Sequence, residues 1–171
     1  MNIVLTGMMG TGKSTVGKKL ASVLGMEYID VDEMIEKDTG KSINKIFEND
    51  GEEKFREIEK KAVKVVSLLN NHVVSTGGGV VKDSENMEEL EKNSVVICLR
   101  ARPEIIYERT KKHSNRPLLK VKDPEKAIKE LMSKREKFYK RCDLMVDTSE
   151  KKVDEIVKKI IDFIKAHRKN K

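Results

Sequence analysis

The segment GMMGTGKST, residues 7–15, holds the densest chemistry in the chain. Gly7, Gly12, Lys13 and Ser14 fit G-x-x-x-x-G-K-[ST], the pattern of a loop that cradles phosphates. Glycines let successive backbone N–H groups curl around phosphate oxygens, and a helix starting just after the loop adds partial positive charge. Lys13 is placed to reach β- and γ-phosphates, and the Ser14 hydroxyl to ligate Mg²⁺. Gly10, Thr11 and Thr15 complete the nucleotide-binding set. Larger proteins with this loop carry an Asp at the end of a central strand to help hold the metal. Here the matching strand ends in Ser75 and Thr76, so another carboxylate must serve. Asp30-Val31-Asp32 offers two. On an extended segment, acids at i and i+2 point the same way. One could hold a metal-bound water while the other accepts a proton from an attacking hydroxyl. The plainer reading of either acid is a cap on the next helix.

Of the 36 basic residues only eight are arginines, so each arginine carries more information than a lysine. Arg56 stands in EEKFREIEK with Glu59 at i+3 on the same helical face. That spacing makes a surface ion pair. It also suits a planar fork, oriented by Glu59, that grips a substrate carboxylate with two parallel hydrogen bonds. Three of the 10 glycines are adjacent in VVSTGGGVVK, at Gly77, Gly78 and Gly79. A flexible linker is not framed by paired valines. Consecutive glycines there fit a backbone that bends sharply or lies against another molecule.

These groups need a scaffold. Short β-branched runs at 2–6, 27–30, 72–76, 94–99 and 143–148 read as buried strands. Helical spacing covers 13–24, 34–40, 42–50, 52–69, 102–111, 124–141 and 152–168, with Ser42 a candidate N-cap and Gly25 a terminator. Residues 112–123 are polar, contain Arg116-Pro117 and read as a loop. Strands alternating with helices indicate an α/β fold with a parallel sheet covered on both faces. Without repeats or Pro/Gly-rich linkers, residues 1–171 are expected to form one domain.

Composition narrows the partners. At 37% hydrophobic and 38% charged residues the chain suits a heavily solvated globule. No run of 18 apolar residues occurs, and MNIVLTGMMG lacks the basic region of a signal peptide, so a cytoplasmic protein without a membrane partner is expected. Cys98, in the apolar run VVICL, is expected to be a buried, inert thiol. Net charge is +7, but aromatics are only 4% and no aromatic-studded basic stripe appears, which disfavours nucleic acid.

GMMGTGKST, DVD, SINKIFENDGEEKFREIE, STGGG, RPLL and SKREKFY occur in an order and spacing that resemble shikimate kinase along essentially the full length. The resemblance implies a three-layer α/β/α P-loop kinase fold with a central five-stranded parallel sheet and a mobile lid over about 112–123. It implies transfer of the γ-phosphoryl of ATP, with Mg²⁺, to the 3-hydroxyl of shikimate on the route to chorismate and aromatic amino acids, by a protein expected to be a monomer. Asp32 then matches the residue on the shikimate hydroxyls and the proposed base, and Asp30 the acid that supports Mg²⁺ through water. Arg56 and Arg135 match the carboxylate arginines, and Gly77, Gly78 and Gly79 the loop against the ring. A side chain on that loop would occupy substrate space. The helical segment of about 31–62 would bind the acceptor. Arg116 matches the lid arginine over the phosphates; Arg109 and the loop 147–149 match adenine-side contacts. Phe47 and Phe55 either line the acceptor pocket or belong to the core. The competing readings are a small P-loop kinase for gluconate or a nucleoside monophosphate, and a nucleotide-regulated nucleic-acid-binding module.

Overall fold

The computed structural model describes residues 1–111 and 121–169. Five strands, β1 (Asn2–Thr6), β2 (Glu27–Asp30), β3 (His72–Ser75), β4 (Ser94–Arg100) and β5 (Leu144–Asp147), form one parallel sheet in the order β2-β3-β1-β4-β5. Parallel neighbours require crossovers, and helices supply them: α1 (Lys13–Leu24), α2 (Val31–Thr39), α3 (Ile43–Ser67), α4 (Ser84–Glu91), α5 (Pro103–Thr110), α6 (Pro124–Tyr139) and α7 (Val153–Lys169). The chain reverses direction across the sheet at β1, which lies between β3 and β4. In such sheets the crevice at the carboxyl end of the switch-point strand is where ligands bind.

Alternation along the strands divides the interior in two. Ile3 and Leu5 of β1, with Val95, Ile97 and Leu99 of β4, face α1 and α7. Val4, Val96 and Cys98 face the opposite way, into a core shared with α2, α3, α4, α5 and α6. Both faces of the sheet are thus covered, and its central strands are almost entirely buried. Cys98 is buried as expected, and a hydrogen bond with the Cys142 thiol, together with burial, pushes its own thiol upward. Among the described residues no helix is long and apolar enough to cross a membrane.

Three helices differ from the sequence reading; α2 starts at Val31, three residues earlier than expected. The expected pair over 42–50 and 52–69 runs as one element, α3, but Gly51 within it is non-helical at φ 85° and ψ 168°. The break falls at the expected seam. Helix α4 has no counterpart in the sequence reading. It is only 8 residues long, and its start is set by Asp83, whose carboxylate accepts from the Glu85 amide at 2.9 Å. The bounds of α6 are set by Asp123, which accepts from the Lys126 amide at 3.0 Å, and by Pro124 in the first turn.

Candidate active site

The phosphate loop is fixed from below. Gly7 leaves β1 at φ +133°, and a Cβ there would collide with the Leu99 carbonyl, so only glycine fits. Thr11 is fully buried and turns inward, its hydroxyl donating to the Met8 carbonyl at 2.7 Å. Its carbonyl in turn accepts from the buried Thr148 hydroxyl at 2.9 Å. Thr11 therefore contributes a braced backbone rather than a side chain. The cap of α1 is Gly12, which has no side chain to satisfy the first-turn N–H groups, leaving them to an anion. The Lys13 ammonium folds over the loop, donating to the Gly7 and Met8 carbonyls at 2.8 and 3.0 Å. A cleft of about 560 Å³ opens above, with Gly10, Lys13, Ser14, Thr15, Asp30 and Asp32 on its walls beside Gly78 and Arg109.

The two acids divide in conformation. Asp30 is extended and caps α2, one oxygen accepting from the Asp32 and Glu33 amides at 3.1 and 3.4 Å. Its other oxygen accepts from the Ser14 hydroxyl and the Tyr28 phenol, each at 3.2 Å. Burial, with the Asp30 charge adding, pushes the Tyr28 phenol up to about 12, so it remains a donor. Capping and facing the phosphate loop are therefore one arrangement in Asp30, not alternatives. Asp32 is not on an extended segment as expected: the cap ends the strand, and Asp32 sits in the first turn of α2. The turn still delivers it to the cleft. Burial raises its carboxyl to about 6; the Asp30 and Glu59 charges add to that, and Lys13 partly opposes it.

The three glycines form a seam between these groups and the arginines. A Cβ on Gly77 would lie 2.8 Å from Asp32 Oδ1 and 3.3 Å from Glu59 Oε1. On Gly78 it would lie 3.4 Å from the Gly7 carbonyl and 3.6 Å from both the Met9 amide and Arg135 Nη1. On Gly79 it would meet Arg56 Nη1 at 2.6 Å and Nη2 at 2.7 Å. The first thing a side chain would displace here is the protein's own set of charged groups. Arg56, Arg135, Gly77 and Gly79 are not on the walls of the 560 Å³ cleft; they connect to it through this loop.

Glu59 orients Arg56 as expected, its Oε2 accepting from Nη1 at 2.7 Å with the carboxylate only 1% exposed. Glu52 accepts from Nη2 at 3.2 Å. Among the described residues, Asp32 Oδ1 and Glu59 Oε1 are buried oxygens without a hydrogen-bond donor, and both face Gly77. Arg135, 8% exposed, donates to the Gly78 carbonyl at 3.1 Å. Arg109 donates to the Gly10 carbonyl at 3.2 Å and to the Thr148 hydroxyl and carbonyl at 3.1 and 2.8 Å, which pins the loop after β5 to the phosphate loop. Phe55 belongs to the core, and Phe47 packs against it with ring centroids 4.6 Å apart and the planes tilted by 34°. Arg116 and most of the expected lid lie outside the described residues. Tyr139, to which the sequence reading assigns no role, donates to the Gly78 carbonyl at 2.7 Å. Its position four residues after Arg135 is the available signal.

A phosphate loop at the switch point, an acid pair beside it and two arginines gathered at the adjoining glycine loop define a small P-loop kinase. Comparison with known proteins narrows this. The family model for shikimate kinase matches residues 9–165. The shikimate kinase of Caldanaerobacter subterraneus subsp. tengcongensis is 52% identical over 160 residues, covering 94% of each chain. That of Thermodesulfovibrio yellowstonii is 49% identical over 160 residues, 94% of this chain and 92% of the relative. Among solved structures, shikimate kinase from Acinetobacter baumannii in complex with shikimate superposes with a TM-score of 0.93 at 35% identity, covering 97% of this chain and 93% of the other. The chain belongs to the shikimate kinase family.

Proposed function

We propose that residues 1–171 are one kinase domain whose acceptor pocket is organised by the glycine loop 77–79. The reaction is transfer of the γ-phosphoryl of ATP to the 3-hydroxyl of shikimate, giving shikimate 3-phosphate and ADP. One observation carries the assignment of residues: Gly77, Gly78 and Gly79 each approach a different charged partner, bringing Asp32, Arg135 and Arg56 around one bare ribbon of backbone next to the phosphate loop.

In this reading the γ-phosphate lies over the first-turn amides of α1, and Lys13 leaves the Gly7 and Met8 carbonyls to engage it. Arg56 and Arg135 take the acceptor carboxylate as a pair of forks, the first held in place by Glu59. Asp32 receives or orients the proton of the attacking hydroxyl. Gly10, Thr11, Gly12 and Thr15 wrap the phosphates, and Arg109 borders the adenine. Arg116 covers the phosphates on the family resemblance alone. Ser14 Oγ and Asp30 Oδ2 stand 3.2 Å apart, an all-oxygen set of the kind a hard cation prefers. Those two residues would hold Mg²⁺, Asp30 through water, and the ion would neutralise charge on the transferring group. The enzyme acts as a cytoplasmic monomer with ATP and shikimate as its partners, and with neither nucleic acid nor membrane.

The test is an ADP-release assay with a panel of acceptors. Shikimate should stimulate release at least about tenfold over gluconate or a nucleoside monophosphate, because a rigid ring presents carboxylate and hydroxyl at one fixed separation, whereas the gluconate carboxylate sits on a flexible open chain and a nucleotide offers a phosphate and a base instead. Equal rates with all three would remove the acceptor assignment and leave the phosphate loop standing.

A further inference from the structure

The Gly78 carbonyl accepts from two side chains, and its residue lies against the phosphate loop. Arg135 and Tyr139, one turn apart on α6, both donate to it, at 3.1 and 2.7 Å. The guanidinium charge lies beside the phenol, and both groups converge on the one carbonyl oxygen. The same residue lies against the phosphate loop: a Gly78 Cβ would stand within 3.6 Å of the Gly7 carbonyl and the Met9 amide as well as of Arg135 Nη1. The Tyr139 ring is only 9% exposed, and burial raises its phenol, so the hydroxyl stays a donor across the working pH range. A carbonyl has two lone pairs, and here both are used.

We propose that Tyr139 is a positioning residue for phosphoryl transfer: its hydroxyl, on the Gly78 carbonyl beside Arg135, fixes the carboxylate-binding fork and presses the glycine loop onto the phosphate loop. Donor and acceptor sites are thereby held at one separation, which in-line transfer requires because a small misplacement costs a large fraction of the rate. This rests on the reading that Arg135 and Gly78 belong to the acceptor pocket.

Tyr139→Phe keeps the ring and removes the one donor. The shikimate KM should rise about five- to tenfold, in line with the loss of one buried hydrogen bond, while the ATP KM stays within about twofold. The share of ADP released without shikimate phosphorylation should also rise, as water competes better in a loosened site. A second variant, Arg135→Lys, gives a cycle: the double variant should lose less than the product of the single losses, because Tyr139 acts through Arg135. An unchanged shikimate KM in Tyr139→Phe, with or without a fall in Tm, would reduce the hydroxyl to a structural bond and overturn the proposal. So would fully multiplicative losses. The two readings fail separately: a wild-type enzyme indifferent to shikimate sinks the acceptor pocket, whereas a shikimate-dependent wild type with an indifferent Tyr139→Phe sinks only the role of Tyr139.

Discussion

Asp32 illustrates how one side chain sets both reactivity and stability. Its carboxyl is raised from the ordinary 3.8 to about 6, by burial first and by the Asp30 and Glu59 charges after that. To serve as proton acceptor it must be ionised, so kcat/KM for shikimate should fall as pH drops through about 6, and a flat profile between pH 5 and 7 would remove Asp32 from the proton path. The same shift acts on folding with a definite sign. Below 3.8 the group is protonated in both states and costs nothing. Between 3.8 and 6 the unfolded chain ionises first, so stability is lost as pH rises, and above 6 the loss is complete. Asp32→Asn should therefore be more stable than wild type at pH 8, with the gain shrinking as pH falls to 4. The carboxyl is only partly shut off from solvent, so about 1–2 kcal/mol is expected by denaturant unfolding. The same variant should lose most of its turnover. A variant equally stable at both pH values would contradict the burial cost.

At the scale of elements, the glycine loop is where sequence and structure part most usefully. The strands, the phosphate loop and the order of helices are legible in the sequence because apolar period and turn chemistry are local signals, as at 2–6 and 13–24. The partners of Gly77–Gly79 are not, because Asp32, Arg135 and Arg56 come from three different helices and meet only once the crossovers are made. Helix α4 escapes the pattern for a different reason: eight residues give barely two turns, and its apolar positions Met87 and Leu90 form too short a stripe to register. The DVD acids do lie near the phosphate loop, but on a different backbone from the one expected, since a side-chain cap such as Asp30 converts extension into helix within one residue. Gly79→Ala tests the loop as an element. Its φ of −96° suits alanine, so the backbone is not strained. The new methyl would instead displace the Arg56 guanidinium, the far end of a flexible side chain. The expected outcome is a Tm within about 2 °C of wild type and a shikimate KM raised about tenfold or more, with the ATP KM unaffected. A normal shikimate KM would mean that Arg56 does not hold the acceptor.

For the molecule as a whole, the sheet separates the side that carries the groups assigned to the acceptor from the side that carries the phosphate-binding helix α1. The core against α1 and α7 includes none of Asp32, Arg56, Arg135 or the glycine loop, whereas the opposite core underlies all of them through α2, α3 and α6. Surface ion pairs add little to either side: the exposed Lys19–Asp154 pair, which joins α1 to α7 on one side, contributes at most about 1 kcal/mol. Packing contributes more, and it is local. Ile160 of α7 and Ile128 of α6 are both fully buried, one in each core. Truncating either to alanine removes the same three carbons and should cost about 2–5 kcal/mol by denaturant unfolding. Their effects on catalysis should differ. Ile160→Ala should leave the shikimate KM within about twofold of wild type, because the cavity opens on the side of the sheet away from the glycine loop. Ile128→Ala loosens the helix that carries both Arg135 and Tyr139, so its shikimate KM should rise severalfold at a similar loss of stability. If the two variants raised KM alike, the sheet would be transmitting strain rather than partitioning it, and the acceptor groups would depend on the whole core instead of the half that underlies them.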